Sequence, residues 1–316
     1  MKGPSTQIYF HPLSLEHDTG YGHPERADRV RAVRQRLQSV ELKGLDWLTP
    51  RPAAVTSIAA NHDVDYIASV EEMARRGGGQ LDVDTSLSKQ SYRAALASAG
   101  AGIQAVDAVL NGEAKNAFSI NRPPGHHALT SMAMGFCLFN NIAIAARHAI
   151  AGHEARRVFI FDWDVHHGNG TQDSFYDDPS VFFCSIHQSP LYPGTGSAAE
   201  TGRGPGKGYT LNLPVPAGTK GDVYHRLINE KVIPALHAFE PEIILISAGF
   251  DAHERDPLAG VLLTDRDFAM MSRHVLEAAD QLCDGKVVAI LEGGYDLQGL
   301  AGGSEQMVRV FSGQSG

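Results

Sequence analysis

The chain has 316 residues, of which 43% are hydrophobic and 20% charged, a composition that supports a folded core and argues against disorder. Its formal net charge of −9 argues against direct binding to nucleic acid, which needs clustered Lys and Arg. No apolar run approaches the roughly 18 residues of a transmembrane helix, and the N-terminus has no apolar signal segment. The three cysteines lack a paired spacing, so we expect reduced, buried thiols in a soluble cytoplasmic protein, with an organelle left open.

Strands and helices alternate along the chain. Strands are predicted at Gln7–Phe10, Asn116–Ile120, Arg157–Phe161, Val181–Ile186, Tyr209–Leu213, Glu242–Ser247 and Val287–Leu291. Helices are predicted between them at Glu25–Leu37, Ser91–Leu110, Asn141–Ala151, Asp222–Phe239 and Thr264–Cys283. Runs such as VFIF and IILIS are apolar throughout, which is typical of strands covered on both faces. The pattern predicts one α/β domain over residues 1–316, with an open, mostly parallel sheet.

Polar or glycine-rich segments follow four of the predicted strands. Asp162 follows VFIF, His187 follows FFCSI, Asp251 comes shortly after IILIS, and an EGGY segment ending at Tyr295 follows VVAIL. Ligands of parallel α/β sheets bind at the carboxyl ends of the strands. We therefore expect the functional site to form where these segments meet.

The segment DWDVHHGNG contains the strongest candidate metal ligands. Side chains two apart in an extended segment share a face, so Asp162, Asp164 and His166 are expected to project together. A buried carboxylate pair is costly unless a cation compensates it, and oxygen plus imidazole ligands suit a divalent metal such as zinc. The alternative is a hydrogen-bonded turn that caps the sheet.

Three further motifs supply candidate catalytic groups. In RPPGHHA, His126 and His127 suit an acid–base pair beside a metal, and in SAGFDAH, Asp251 suits a third metal ligand. His253 has the spacing of another ligand, but we interpret it as a surface histidine. In LEGGY, two glycines aim Tyr295, whose hydroxyl suits donation to a developing oxyanion.

Taken together, RPPGHHA, DWDVHHGNG, SAGFDAH, DPLAG and LEGGY resemble the motifs of the histone deacetylase family, and more narrowly its class II branch and the bacterial histone deacetylase-like amidohydrolases. The resemblance runs from about His11 to the segment of Tyr295. It implies an arginase/deacetylase fold, with a mostly parallel sheet of about eight strands between helices. It also implies a zinc-dependent deacetylase that hydrolyses N-acetyl-lysine, or a related acylated amine, with metal-activated water.

The resemblance also implies roles for individual residues. One catalytic zinc ion would be held by Asp164, His166 and Asp251. The catalytic residues would be His127 as general base, His126 as the neighbouring histidine oriented by Asp162, Tyr295 as the carbonyl-polarising group, and Asn169. A structural potassium ion would be held by the side chains of Asp162 and Ser185 and the backbone carbonyls of Asp164, His166 and Ile186. The substrate would be contacted by Asp84, Gly135, Phe136, Tyr192 and Leu258.

Within this resemblance, two positions indicate the class II branch and a preference for acetyl-lysine over acetylpolyamines. Asn169 stands where class I members carry a carboxylate, and Leu258 stands where a polyamine-selective relative carries a glutamate. The expected partners are acetylated lysine side chains of proteins or small acylated amines, with neither nucleic acid nor membrane. An acetylpolyamine amidohydrolase, a binuclear manganese hydrolase of the arginase type and an inactive acetyl-lysine-binding scaffold stay open, as do the acyl chain and the oligomeric state.

Overall fold

A computed structural model describes residues 5–314. Residues 1–4, on which the expectation of no signal segment partly rests, lie outside the described range, as do residues 315–316. Within that range, none of the helices combines the length and the hydropathy that a membrane span requires.

The strands build one large parallel sheet and one small hairpin. In chain order they are β1 (Ser5–Tyr9), β2 (Leu45–Leu48), β3 (Gly78–Gln80), β4 (Ser86–Ser88), β5 (Ala114–Ser119), β6 (Val158–Asp162), β7 (Val181–Gln188), β8 (Thr210–Val215), β9 (Ile243–Ala248) and β10 (Val287–Leu291). Eight of them pair in the order β2-β1-β5-β10-β9-β6-β7-β8, every pair parallel, and β3 pairs antiparallel with β4. The seven predicted strands and the expected fold class are confirmed; β2, at one edge, was not predicted.

Helices cover both faces of the sheet. They are α1 (Asp28–Ser39), α2 (Val55–Ile58), α3 (Val64–Arg75), α4 (Ser91–Leu110), α5 (Asn141–His153), α6 (Asn169–Phe175), α7 (Gly221–Leu227), α8 (Ile233–Phe239), α9 (Asp265–Leu282) and α10 (Leu297–Phe311). A π-helical turn, Ile228–Val232, joins α7 to α8, so the two form the one helix predicted at Asp222–Phe239. The five predicted helices are confirmed, whereas α2, α3, α6 and α10 were not predicted.

The core lies in two layers, one on each face of the sheet. On β6, Phe159 and Phe161 pack toward α1, α9 and α10, while Val158 and Ile160 pack toward α4 and α5. Successive side chains of a strand point to opposite faces, so a strand buried on both sides must be apolar throughout. The sheet order makes β5, β10, β9, β6 and β7 neighbours. Their carboxyl ends therefore bring the motif-bearing segments to one edge.

Candidate active site

Three buried side chains converge at the ends of β6 and β9. Asp164, His166 and Asp251 place one potential ligand atom each within 4.8 Å of the others. His166 Nδ1 lies 3.2 Å from an oxygen of Asp164 and 3.0 Å from an oxygen of Asp251. Burial alone would lower the pKa of His166, but its hydrogen bonds to the two carboxylates raise that pKa to about 10. A positive charge between the two carboxylates is therefore strongly stabilised. A bound divalent cation can supply that charge in place of a proton.

Backbone groups hold these carboxylates in position. The N–H of Gly293 donates to Asp164 over 2.7 Å, and the N–H of Val165 donates to Asp251 over 2.9 Å. A Cβ atom at Gly249 would lie 2.1 Å from Asp164 Oδ2, and one at Gly293 would lie 2.0 Å from Asp251 Oδ2. Side chains at these two glycines would therefore displace the carboxylates. The three predicted metal ligands form a cradle that fits a metal ion.

His126 lies beside this cluster, and its environment favours the charged imidazolium. Its Nδ1 is 3.0 Å from Asp162 Oδ2, and its Nε2 is 3.8 Å from Asp164. Burial lowers its pKa, yet the charges of Asp162 and Asp164 outweigh burial and raise the pKa to about 10. Asp162 therefore contacts and orients this ring, in the arrangement that the family resemblance implies.

His127 has the opposite environment from its neighbour. The two rings are 4.0 Å apart, and burial together with the charges of His126 and His166 holds the pKa of His127 well below its usual value. Its Nδ1 lies 2.8 Å from Asn169 Oδ1, while the Asn169 amide donates to the sulfur of Met134 over 3.4 Å. Since an amide oxygen only accepts, Nδ1 of His127 carries the hydrogen. Nε2 is then free to accept a proton.

A narrow pocket of about 240 Å³ opens beside these histidines. It is lined by Asp84, His127, Gly135, Phe136, His166, Leu191, Tyr192, Leu258 and Tyr295. All five residues predicted to contact a substrate are among them, and Leu191 is an additional one. Burial keeps the pKa of Tyr295 well above its ordinary value, although Arg29 opposes the shift. The phenol therefore stays protonated and can donate a hydrogen bond into the pocket.

The wall formed by Phe136 depends on an unusual backbone. Gly135 and Phe136 both have positive φ angles, of 56° and 68°, which is rare for a bulky residue. The N–H of Gly135 donates to Asp84 over 3.1 Å, and the N–H of Phe136 donates to the Thr85 hydroxyl over 3.0 Å. A Cβ atom on Gly135 would lie 2.4 Å from the His127 ring. The loop of Asp84 and Thr85 thus fixes both the pocket wall and the space for His127.

Comparison with known proteins identifies the family. Residues 23–311 match the family model described as the histone deacetylase domain. The chain belongs to the histone deacetylase family.

Several curated histone deacetylase relatives are similar over most of their length. A probable deacetylase of Archaeoglobus fulgidus is 42% identical over 298 residues, covering 93% of this chain and 82% of the relative. Histone deacetylase 10, chloroplastic, of Oryza sativa subsp. japonica is 42% identical, covering 92% and 70%. A histone deacetylase-like amidohydrolase of Pseudomonas aeruginosa is 40% identical, covering 87% and 73%. The crystal structure of the HDA15 HD domain matches with a TM-score of 0.94 and 35% identity, over 99% of this chain and 89% of that one.

A buried ionic network behind the candidate active site was missed by sequence reasoning. Glu25 is fully buried and accepts hydrogen bonds from both Arg29 and Arg122. Arg29 also donates to the carbonyls of Glu292 and Gly294, and its guanidinium lies 4.9 Å from the centre of the Tyr295 ring. The inward turn of Glu25 explains why α1 begins three residues later than predicted. Arg122 stands in RPPGHHA, but nothing in that motif identifies its partner.

Glu292 is a second positioning residue that the sequence did not reveal. Its carboxylate accepts hydrogen bonds from the N–H groups of Gly125 over 2.6 Å and His126 over 3.1 Å. The LEGGY motif thus holds the backbone of the RPPGHHA motif, across the adjacent ends of β10 and β5. The sequence analysis assigned the LEGGY motif a role only through Tyr295 and gave none to Glu292.

The interpretation of His253 as a surface histidine was wrong. The residue is only 5% exposed, and it packs against Gly299 of α10, where a Cβ atom would lie 2.7 Å from its ring. Its Nε2 lies 3.3 Å from Asp265, so it is not part of the metal cradle. The helix that buries it, α10, was not predicted, which is why its burial was missed.

Three of the predicted potassium ligands lie together where β6 ends beside β7. Asp162 is paired with Ser185 in the register of the two strands, and Ile186 follows directly. The Ser185 hydroxyl also contacts His187 Nδ1 at 2.9 Å. Binding of potassium to these residues stays a prediction.

Proposed function

We propose that the chain is a zinc-dependent deacetylase that hydrolyses the amide of N-acetyl-lysine or of a related acylated amine. The observation that carries the proposal is the composition of the pocket. One narrow cavity is lined at once by a candidate metal ligand, His166, a neutral histidine, His127, and a protonated tyrosine, Tyr295. Family membership supports the same reaction class.

The metal would be held by Asp164, His166 and Asp251. Two carboxylates and one imidazole are a donor set that zinc accepts, and three protein ligands leave a position open for catalysis. When bound, zinc would supply Lewis-acid polarisation of the amide carbonyl and would lower the pKa of water. A potassium ion at Asp162, Ser185 and the carbonyls of Asp164, His166 and Ile186 is part of the proposal, supported by the pairing of Asp162 with Ser185 between β6 and β7.

The protein's own groups would then handle protons and charge. His127, neutral and hydrogen-bonded through Nδ1 to Asn169, would accept a proton from the attacking water at Nε2 and return it to the leaving amine. His126, held charged by Asp162, would stabilise negative charge nearby. Tyr295 would donate a hydrogen bond to the oxygen of the tetrahedral intermediate.

The shape of the pocket favours a slender, neutral acylated amine. Its volume of about 240 Å³ lies below the 300–1,000 Å³ range of most small-molecule sites. Phe136 and Tyr192 provide aromatic walls, and Leu258 gives no charged anchor for a distant ammonium group. Asp84 is the one carboxylate in the lining, and its Oδ1 already accepts from Gly135 and Thr85. This lining favours acetyl-lysine over an acetylpolyamine.

The test is turnover of a fluorogenic acetyl-lysine peptide, beside acetylputrescine, before and after chelation and with zinc restored. We expect peptide turnover that chelation abolishes and zinc restores, with slower turnover of acetylputrescine. Tyr295→Phe should lower kcat by about 10²–10³-fold, the usual effect of losing an oxyanion donor. Tyr21→Phe, at an exposed tyrosine outside the pocket, is the matched control and should leave kcat unchanged. Chelator-resistant turnover, or a fully active Tyr295→Phe variant, would contradict the proposal.

A further inference from the structure

A second group of metal-ligand side chains lies between α4 and α5. Asp107 of α4 is hydrogen-bonded to two histidines of α5 through the same oxygen, Oδ1. His148 Nε2 lies 2.6 Å from this oxygen and His153 Nε2 lies 2.7 Å from it. The three potential ligand atoms lie within 4.8 Å of one another. The family assignment and the proposed reaction give these residues no role.

This cluster is remote from the candidate active site. His153 is the last residue of α5, shortly before β6 begins, and Asp107 is near the end of α4, shortly before β5 begins. The cluster therefore lies at the amino-terminal edge of the sheet, whereas the catalytic motifs lie at the carboxyl edge. A strand of five residues separates the two edges by roughly 16 Å.

The backbone at the end of α5 leaves room for the two imidazole rings to lie close together. Gly152 gives space to the first ring, because a Cβ atom there would lie 3.1 Å from His148 Cε1. Glu154 then takes a left-handed conformation, with φ of 56°, and ends the helix directly after His153. The histidine rings meet edge to face, with centroids 5.6 Å apart.

The donor set has the chemistry of a divalent metal site. Imidazole nitrogens with a carboxylate are common ligands of zinc and related ions. Within residues 5–314, the ion-pair partners of Asp107 are these two histidines, and no Lys or Arg competes for it. The side chains are 19–40% exposed, which leaves access for an ion and for water as the remaining ligand. Tetrahedral zinc ligands are ~3.3 Å apart, so each nitrogen–oxygen separation needs to open by roughly 0.6 Å.

We propose that Asp107, His148 and His153 form a second, outer site for a zinc-like divalent cation, which links α4 to α5. The site has one carboxylate where the cradle of Asp164 and Asp251 has two, and it is more exposed. It therefore binds its ion more weakly than the catalytic cradle does. The bound ion stabilises the packing of the two helices and takes no part in the hydrolysis.

The experiment measures bound zinc per chain, by elemental analysis, across a range of free zinc concentrations. His148→Ala should bind one ion fewer than the wild type, with deacetylase turnover unchanged. His237→Ala, at an exposed histidine of α8, is the control and should bind as the wild type does. Zinc should also raise the Tm of the wild type more than that of His148→Ala, and Asp107→Asn should repeat both losses.

The difference between variants separates this proposal from the proposed function. A loss of one ion with full turnover supports the outer site, whatever the catalytic cradle binds. Equal zinc content in the wild type, His148→Ala and Asp107→Asn, at every zinc concentration tested, would overturn it and leave the cluster as a set of hydrogen bonds. Should His148→Ala fold poorly, Asp107→Asn with cobalt(II) absorption as readout decides between the same two outcomes.

Discussion

At the scale of single residues, two adjacent histidines are given opposite protonation states by their partners. His126 faces Asp162, whose charge stabilises the imidazolium, while His127 faces the neutral amide of Asn169. Burial and the neighbouring positive rings keep His127 neutral. One ring can therefore hold positive charge while the other, 4.0 Å away, accepts a proton. The carboxylate of Asp162 thus holds His126 charged, whereas burial and the neighbouring rings, against the hydrogen bond to Asn169, hold the pKa of His127 low.

Asn169→Asp should move the acidic limb of the kcat/KM pH profile to higher pH. A carboxylate 2.8 Å from Nδ1 of His127 would stabilise the imidazolium and raise its pKa, by about 1–3 units for a close opposite charge. The neutral form that accepts the proton would then be lost at a higher pH than in the wild type. The measurement is kcat/KM against pH with an acetyl-lysine peptide.

Asn169→Ala is the matched control for that shift. It removes the acceptor that fixes the His127 tautomer, so it should lower kcat without moving the limb upward. An acidic limb at the same pH in Asn169→Asp and the wild type would show that His127 is not the group that titrates.

The sequence predicted the side chains that perform the chemistry better than those that hold them. Asp164, His166 and Asp251 were recognisable because costly residues cluster after apolar strands. Glu292 was missed because its partners are backbone N–H groups. Glu25 was missed because its partner Arg122 is distant along the chain, although Arg29 is only four residues away. Contacts with backbone groups or with residues distant along the chain produce no short-range sequence pattern that could predict them.

At the scale of elements, α9 shows how a helix start is specified. Thr264 and Asp267 form a capping box, in which the N–H and the hydroxyl of Thr264 donate to the Asp267 carboxylate over 2.8 Å and 2.7 Å. The predicted start of this helix, at Thr264, is confirmed to within one residue. Asp267 also contacts His225 of α7 at 3.0 Å, so the cap joins two helices.

Thr264→Ala should destabilise the protein by about 1 kcal/mol, the usual cost of losing an N-cap side chain. Thr264→Ser keeps the hydroxyl, so it should keep most of the stability that Thr264→Ala loses. The measurement is the free energy of unfolding from urea titration. Equal stability of Thr264→Ala and Thr264→Ser would mean that the hydroxyl contributes nothing.

Strand β2 and helix α10 were missed from the sequence for different physical reasons. Strand β2, LDWL, is a short edge strand with alternating exposure, so it lacks the continuous apolar run of the central strands. Helix α10 contains Gly299, Gly302 and Gly303, which argue against a helix by propensity. Each of them lies where a Cβ atom would be within 2.7 Å of a neighbouring side chain. Close tertiary packing therefore requires glycine at these three positions, although glycine has a low helix propensity.

The ionic network of Glu25 joins elements rather than neighbouring residues. It links the segment before α1 to Arg122 after β5 and, through Arg29, to the carbonyls that precede Tyr295. Glu25→Gln would leave two buried guanidinium groups without their carboxylate. Removing one partner from a buried pair costs about 3–5 kcal/mol. We expect that loss in the free energy of unfolding, together with a lower kcat as the support of Tyr295 weakens.

Asp28→Asn is a suitable control for the Glu25 variant. Asp28 pairs with Arg31 over 2.9 Å in the first turn of α1, but both side chains are more than half exposed. Exposed pairs of this kind contribute under about 1 kcal/mol. If both variants lost the same small amount of stability, the buried network would have no special role in holding the fold.

At the scale of the whole molecule, three histidines in different segments of the chain are buried in neutral form. Burial lowers the pKa values of His17, His62 and His187 to about 4, in each case against weaker opposing contacts. Their ordinary value, which an unfolded chain restores, is about 6.5. At each of these three positions the unfolded chain therefore binds more protons than the folded protein between these two values, so the histidine's contribution to folding stability rises with pH across that window.

His17, His62 and His187 should each lower the free energy of unfolding as pH falls from about 6.5 to about 4. The buried carboxyls of Asp256 and Glu292, whose pKa values are raised to about 7, should contribute in the opposite direction. Each buried histidine contributes up to about 1.4 kcal/mol per pH unit to this slope, because one proton is taken up on unfolding. His62→Gln keeps a donor for the Thr130 carbonyl and an acceptor for the Asn140 N–H, but it cannot titrate. It should reduce the slope of unfolding free energy against pH by that amount, measured by urea titration at several pH values. His237→Gln, at an exposed position, should leave the slope as it is. A slope unchanged in His62→Gln would mean that this histidine is already protonated in the folded state.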